Sequence, residues 1–483
     1  MNIYEMKNRR EVCWDEFFID EKRSVELRMH EPRPRELAVV CNEEWEGIHN
    51  GYGCVVKTED GWNFCYRAFS EDFRADGTLI SKKETYCVME SRDGIHFTRP
   101  NLGMYSYNGS HFNNIFYMDD TRVVDNFSVF YDENPACPPQ ERYKALTCDG
   151  EDLKLFVSED GLQFTYKRIV EIPGHFDSCN VVFWDRENEI YRIYARVYYD
   201  AVDPSKLSLH DSERSRGPVR SIQLATSKDM VHWENIQRIQ FNGDADDLQL
   251  YTNNIQPYYR APHMFIGMPA RYLDRSDEAE NFEQMPMGER HAFWSKYWGR
   301  GGTAVTDCLL MTSRDGLHFD RTDEAFLRPG PESQLNWWYG DCYVAYGMTE
   351  TPSDVPGAPN EISFYAGEGY RVKSVSWRRY TVRLDGFFSW HAGYKGGEVL
   401  TKPFTFEGST LSINFSTSAI GHLTITLCDE NGNALEGYSS GYLFGDSVDR
   451  KVRFEKDLAL LNGQPVRMKL TLSDCDLYSF CFA

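Results

Sequence analysis

The sequence predicts an all-β protein, a five-bladed β-propeller followed by a C-terminal β-sandwich. Three observations predict it. First, the pattern Ser-x-Asp-(Gly/Met)-x-(His/Gln)-aromatic recurs as SRDGIHF at Ser91, SEDGLQF at Ser158, SKDMVHW at Ser227 and SRDGLHF at Ser313, at intervals of 67, 69 and 86 residues. Second, each copy follows an alternating apolar segment that reads as a strand: ETYCVMES, DLKLFVSE, RSIQLATS and DCLLMTS. Third, no long stretch with a 3.6-residue period carries caps at both ends, so helix signal is poor throughout.

Each element follows from local chemistry. Residues 1–38 read as an N-terminal arm that packs onto the rest. In each repeat the Asp-Gly pair reads as a tight turn, because Gly tolerates positive φ and Asp can bond the turn backbone. The aromatic residue then opens the next strand. A strand–turn–strand unit recurring about every 70 residues is the signature of a propeller blade. A looser copy, TEDGWNF at 58–64, falls earlier in the first blade. Four clear copies and a closing blade give five blades over 39–378. The same motif could mark hairpins of a sandwich, but its near-constant spacing argues against that. The third interval carries an insertion of about 17 residues. From residue 379 the pattern changes to short alternating strands, TLSINFS, HLTITLCD, RKVRFEKD, VRMKLTLSD and LYSFCFA, with an Asp-Glu-Asn-Gly turn at 429–432. That pattern reads as a sandwich of about 100 residues over 379–483.

Composition narrows the function. The 483 residues carry 52 Lys and Arg against 74 Asp and Glu, a net charge of −22. Such a chain is a poor partner for nucleic acid or for an anionic membrane surface, both of which need dense Lys/Arg faces. Aromatic residues make up 14% of the chain, which suits pleated sheets and stacking on sugar rings. The 13 cysteines are odd in number, form no CxxC pair and show no zinc-ligand spacing. The charged N-terminus lacks the apolar core of a signal peptide, and no apolar run reaches membrane-spanning length. These features lead us to expect a cytoplasmic protein with reduced thiols. Neither GxSxG, HExxH, a P-loop nor an EF-hand loop occurs, and no cofactor or metal is expected.

Several segments resemble a clan of five-bladed glycosidases that includes glycoside hydrolase families 32, 43 and 68, and within it a bacterial family-32-like group. They are WEG at 45–47, SRDGIHF at 91–97, HFDSCNVVFWD at 175–185, LYTNNIQPY at 250–258, RRYTVRLDGF at 378–387, GEVLTKPFTF at 397–406 and DLYSF at 476–480. The WMNDPNG, RDP and EC signatures of family 32 are absent. The resemblance implies hydrolysis of a glycosidic bond in a small oligosaccharide or glycoside at the open mouth of the propeller, where the innermost strands begin. Glycoside hydrolysis needs two carboxyl groups across the scissile bond.

Carried onto this chain, the resemblance implies Glu46 on blade one, where the clan usually has Asp, with Glu43 and Glu44 as neighbouring alternatives. It implies Asp177 on blade three, with an Asx-turn that starts the strand as the alternative. The acid expected on blade four finds no Glu; Asp247 stands nearest, beside Asp244 and Asp246, with Glu350 and Glu361 on blade five as further candidates. Asp125, Asn126, Asn180 and Asn254 are candidates for binding sugar hydroxyls, with His175 flanking the mouth. Arg196 and Arg271 are candidates for orienting a carboxylate or binding a substrate acid. The insertion at 274–302 reads as a binding loop or a contact in a homo-oligomer; Trp298 there and Trp338 beyond it are candidate stacking platforms. Two rival readings stand beside hydrolysis. One is a glycoside phosphorylase or transglycosidase, with Arg271, Arg290, His291 and Arg300 as a phosphate pocket. The other is a carbohydrate-binding protein with no activity.

Overall fold

The computed structural model describes residues 3–69, 71–74, 78–81, 84–119, 124–149, 151–199, 219–243, 249–275, 279–333, 336–371 and 375–483. The side chains of 71–73, 79–81, 279–280, 298 and 300 are outside that description.

Five antiparallel sheets form the blades. Blade one comprises Gly51–Lys57, Trp62–Ala68, Thr85–Ser91 and Ile115–Tyr117. Blade two comprises Asp125–Tyr131, Tyr143–Cys148, Leu153–Ser158 and Thr165–Ile169, and blade three Val181–Asp185, Ile190–Tyr199, Val219–Ser227 and Glu234–Arg238. Blade four is built on Gln256–Tyr258, Ala261–Gly267, Met311–Ser313 and His318–Arg321, with Gln240–Phe241 added in parallel at its edge. Blade five, Thr349–Thr351, Glu361–Glu368 and Val375–Arg383, is completed by Arg33–Cys41 from the N-terminal segment. An N-terminal strand thus supplies the outer strand of the last blade and closes the ring.

The ring is held by five cores, one between each pair of neighbouring blades. Cys54, Cys65 and Val88 meet Phe127, Val129 and Phe156 between blades one and two. Phe130, Leu146 and Leu155 meet Val182 and Ile193 between two and three. Val181, Tyr194 and Leu224 meet Phe265 and Phe319, then Met264 and Ile266 meet Ile362 and Phe364. Val39, Tyr365 and Trp377 finally meet Val55 and Phe64.

The repeat is the turn that joins the third strand of a blade to its outer strand or edge. In blade one, Ser91 Oγ bonds Asp93 and accepts from the Gly94 amide at 3.0 Å, while Asp93 Oδ1 accepts the amides of Ile95 and His96, each at 2.8 Å. The same bonds recur around Ser158 and Asp160, Ser227 and Asp229, and Ser313 and Asp315. The fourth position has positive φ in every copy: Gly94 71°, Gly161 76°, Met230 59° and Gly316 76°. That conformation is the physical reason Gly dominates there.

The C-terminal strands are hydrogen-bonded into one curled nine-stranded sheet. TLSINFS and HLTITLCD, expected as two strands, are the halves of Leu411–Cys428, which bends at a register shift between Thr417 and His422. VRMKLTLSD and LYSFCFA are likewise the halves of Arg467–Phe482. The N-terminal segment is woven into this sheet before it reaches blade five. Arg10–Val12 pairs with Arg467–Phe482, Ile19–Arg23 with Gly397–Thr401, and Glu26–Met29 with Phe388–Ala392.

Two buried carboxylates lock the sheet to the propeller. Asp385 accepts from Tyr258 Oη at 2.6 Å, Arg260 Nε at 2.7 Å and Ser479 Oγ at 2.6 Å, with Arg10 Nη1 at 3.3 Å. Glu11 lies 3.2 Å from Arg314 Nη1 and accepts from Tyr4 Oη at 3.2 Å. Burial pushes both carboxyls up, but the surrounding cations and donors outweigh it and hold each below its usual value.

Candidate active site at the propeller mouth

The mouth is the end of the channel where each innermost strand begins, each second strand ends and each third strand begins. Backbone strain is present there. Tyr52, Asn126, Asn254 and Cys342, one from each of four blades, have positive φ of 50°, 59°, 47° and 61°. In blades one and two these residues sit inside register shifts of the ladder. Such bulges turn the flanking side chains out of the ladder, which is how Asp125 comes to face the channel mouth.

Three carboxyl groups converge at this end. Asp125 opens blade two, and Glu84 immediately precedes the third strand of blade one. Arg67, at the end of blade one's second strand, sits between them, with Nη1 2.5 Å from Asp125 Oδ1 and Nε 3.9 Å from Glu84 Oε1. Arg67 Nη1 also donates to Asn126 Oδ1 at 2.9 Å, and its guanidinium lies over the Tyr52 ring. Tyr86 Oη donates to Glu84 at 2.5 Å. The third group, Asp177, has half of its side chain exposed and stands 3.5 Å from Arg196 Nη2.

The electrostatics separate these groups. Burial raises Glu84, and the charges of Asp125 and Asp177 add to that; Arg67 and the Tyr86 hydroxyl oppose it, and the carboxyl ends at about 7. Asp125 is also raised, by burial first and by Asp177, against the pull of Arg67. The mouth therefore holds one carboxyl that keeps its proton to near-neutral pH within electrostatic reach of a solvent-facing one.

Aromatic rings and guanidinium groups line the rest. Arg196 and Arg220 both lie over the rings of Tyr198 and Tyr251, at 5.1 to 5.6 Å. Arg220 also lies over Tyr272 at 4.7 Å and donates to Gln249. Tyr339 Oη donates to Tyr251 Oη at 2.6 Å, and Tyr251 stacks on Tyr343. The insertion forms three short helices, Ala279–Gln284, Gly288–Trp298 and Arg300–Thr303, where a loop was expected. Its Trp294 carries the Arg371 guanidinium 4.3 Å above the ring and neighbours His49 of blade one. Gly302 lets the third helix pack closely on the second, because a Cβ there would collide with His291 and Ser295.

The other sequence-predicted residues are placed as follows. Glu46 is fully buried. Its two oxygens are taken by Arg99 Nη2 at 3.1 and 2.9 Å, by Tyr66 Oη and by the Glu43 amide at 2.8 Å. It is a closed ion pair inside blade one and is not brought to Asp177. Glu43 lies 3.5 Å from Arg99, and Glu44 accepts from Asn108. Asp247, Asp244 and Asp246 lie outside the described residues, as does the Trp298 side chain. Glu350 and Glu361 are at the opposite end of blade five, bonded to Tyr259 and Arg35 respectively.

Asn180 is buried and spends its amide on the Phe176 and Ser178 carbonyls and the Arg196 amide, so it fastens the Asp177 loop and does not face a ligand. Asn254 is buried and donates to the Val344 carbonyl. Arg271 pairs with Asp307 at 2.9 Å and lines a separate cavity beside Arg275 and Trp337. Trp338 is 1% exposed; His291 covers its face at 3.8 Å and 9°. Arg290 donates to the Arg371 carbonyl and His291 faces that of Gly302, while the Arg300 side chain of the expected phosphate pocket lies outside the described residues. His175 is exposed and packs edge-on against Tyr198.

The residues not foreseen are Glu84, Arg67, Arg220 and the tyrosines Tyr52, Tyr198 and Tyr251. Glu84 was legible in one respect: it opens ETYCVMES, the first repeat strand, so its position at a strand start is written in the repeat. Among the described residues no group of three or more His, Cys, Asp or Glu side chains is arranged to hold a metal ion.

Neither a family model nor a curated protein matches the chain. Solved structures do match. An N-acetylgalactosamine deacetylase from F. plautii, in complex with blood group B trisaccharide, is 11% identical, covering 91% of this chain and 95% of its own with a TM-score of 0.41. A β-1,2-mannobiose phosphorylase from Listeria innocua is 12% identical over 75% of this chain and 98% of its own, TM-score 0.43. The catalytic domain of a GH62 α-L-arabinofuranosidase from Coprinopsis cinerea is 8% identical over 73% and 97%, TM-score 0.42.

Proposed function

We propose that the mouth cleaves a glycosidic bond in a small oligosaccharide or glycoside. The observation that carries this reading is Glu84, a carboxyl raised to about 7 at the same end of the channel as the half-exposed Asp177 and within its electrostatic reach. A protonated acid and a solvent-facing carboxylate are the two groups the reaction requires. In this reading Glu84 gives its proton to the leaving oxygen, and Asp177 acts on the opposite face as nucleophile or as base for water. Asp125 and Arg67 position Glu84 and set its proton affinity. The faces of Tyr198 and Tyr251 offer apolar surface to a sugar ring. A reducing compartment such as the cytoplasm suits the chain: all 13 cysteines are free thiols, 12 of them buried.

One feature favours a second reading. Arg196 and Arg220 stand over the same two tyrosine rings with only Asp177 as a carboxylate partner among the described residues. Two guanidinium groups at one site suit an anion, and inorganic phosphate in place of water would make the enzyme a phosphorylase. The test is a panel of nitrophenyl glycosides and short oligosaccharides, assayed with and without phosphate. Cleavage in water supports hydrolysis, and cleavage only with phosphate supports the phosphorylase. Sugar binding without turnover in either condition would overturn both in favour of a binding protein.

A further inference from the structure

The channel has a second opening at the end opposite the mouth. There the innermost strands of all five blades finish around a cavity of about 500 Å³. Ligand sites for small molecules fall in this size range. Tyr346, from blade five, packs against the cores between blades one and two, two and three, and three and four, which places it on the propeller axis. It also lines the cavity and so forms its floor, separating it from the mouth.

The walls are aromatic. Trp62, Tyr131, Trp184 and Tyr259 come from four different blades. Tyr131 and Tyr259 are 41% and 46% exposed, so their rings are presented at the rim. Tyr259 is held in place by its hydroxyl, which donates to Glu350 at 2.7 Å. Charges on the lining cancel: Lys57 and Arg186 against Glu133 and Glu350, with Arg186 and Glu133 paired at 2.6 Å. In a chain of net charge −22 this is a neutral patch. One polar group is left over. Gln256 lines the cavity with only 9% exposure, and its Nε2 is buried with no acceptor among the described residues. A buried amide donor without a partner is costly, and a small rotation of the side chain toward the cavity would let an acceptor oxygen brought in from outside satisfy it.

We propose that this basal cavity is a second binding site, and that its ligand is a neutral pyranoside. The apolar faces of such a ring match the aromatic walls, its hydroxyl oxygens can accept from Gln256, and its lack of charge matches the balanced lining. The inference is independent of the reaction at the mouth.

Calorimetric titration with the methyl glycosides of glucose, mannose and galactose tests it, using wild type, Gln256→Leu, Tyr259→Ala and the mouth variant Arg196→Ala. Thermal melts confirm that each variant is folded. Saturable binding of at least one glycoside is expected, weakened about 10-fold or more by Gln256→Leu and by Tyr259→Ala, and unchanged by Arg196→Ala. Absence of saturable binding up to about 100 mM, far above the range of specific sites, would overturn the proposal. Binding lost in Arg196→Ala and kept in both basal variants would assign it to the mouth instead, and binding of indole in preference to every glycoside would show a merely apolar pocket.

Discussion

The mouth and the junction between propeller and C-terminal sheet are made of the same materials, carboxylates, arginines and tyrosines, yet they are finished differently. At the junction every acid is saturated. Asp385 takes two arginines, a tyrosine and a serine, and Glu11 takes Arg314 and Tyr4. Both carboxyls are held below their usual values. At the mouth the acids are less completely paired. Glu84 shares Arg67 with Asp125, and Asp177 has Arg196 at 3.5 Å and open solvent. Burial first, and the charges of Asp125 and Asp177 after it, raise Glu84 against the pull of Arg67. A saturated carboxylate stores stability; an undersatisfied one keeps a proton to give, or a lone pair to use. Glu46 has the junction's finish, although it lies in the first blade, and that is why it is set apart from the chemistry.

Substitutions can break this comparison, and their expected effects form a descending series. Asp177→Asn is expected to lower turnover by about 10⁴-fold with folding intact, the scale of losing a group that acts on the reacting atoms. Glu84→Gln is expected to cost about 10²- to 10⁴-fold. Wild-type activity is expected to fall on the alkaline side as the acid loses its proton near pH 7, and Glu84→Gln to lack that limb; a limb that persists in Glu84→Gln would assign the acid elsewhere. Asp385→Ala, which strands Arg260 and Arg10, is expected to cost about 4 kcal/mol in denaturant unfolding while leaving turnover per folded molecule unchanged. Glu46→Ala should act in the same way at about 3 kcal/mol, less because Arg99 keeps some solvent.

The two regions also respond oppositely to pH. Asp385 and Glu11 contribute stability that is fully present above the usual carboxylate range and is lost as pH falls through their lowered values. Glu84 has the opposite sign: its cost to folding appears as pH rises from about 4.5 to about 7. Comparing unfolding of Glu84→Gln with wild type at pH 5 and pH 8 checks this. The variant should gain relative stability at the higher pH.

The repeat made most of the fold legible, because the Ser-Asp-Gly turn is a local device whose hydrogen bonds lie within seven residues. The closure of blade five by Arg33–Cys41 was not legible, since it pairs residues more than 300 apart and the segment has no repeat turn. The long strands Leu411–Cys428 and Arg467–Phe482 were read as four because a register shift at their midpoints, between Thr417 and His422 on one and at Ser473 to Cys475 on the other, interrupts the apolar alternation. At the site, Asp177 was legible as an acid at the start of an apolar strand. Glu46 was misplaced because an acid before a first strand looks alike whether it points to solvent or into the blade; Arg99, 53 residues away, decides that. Trp338 was taken for a platform because composition cannot tell which face His291 covers.

The central claim is that the chemistry belongs to the undersatisfied acids of the mouth and not to the saturated ones. Its most direct test is turnover of the best glycoside from the panel by wild type, Asp177→Asn and Glu46→Gln, each corrected to its folded fraction. The account predicts that Asp177→Asn loses activity by orders of magnitude while Glu46→Gln retains it. Full activity in Asp177→Asn, or its loss in a folded Glu46→Gln, would contradict the account.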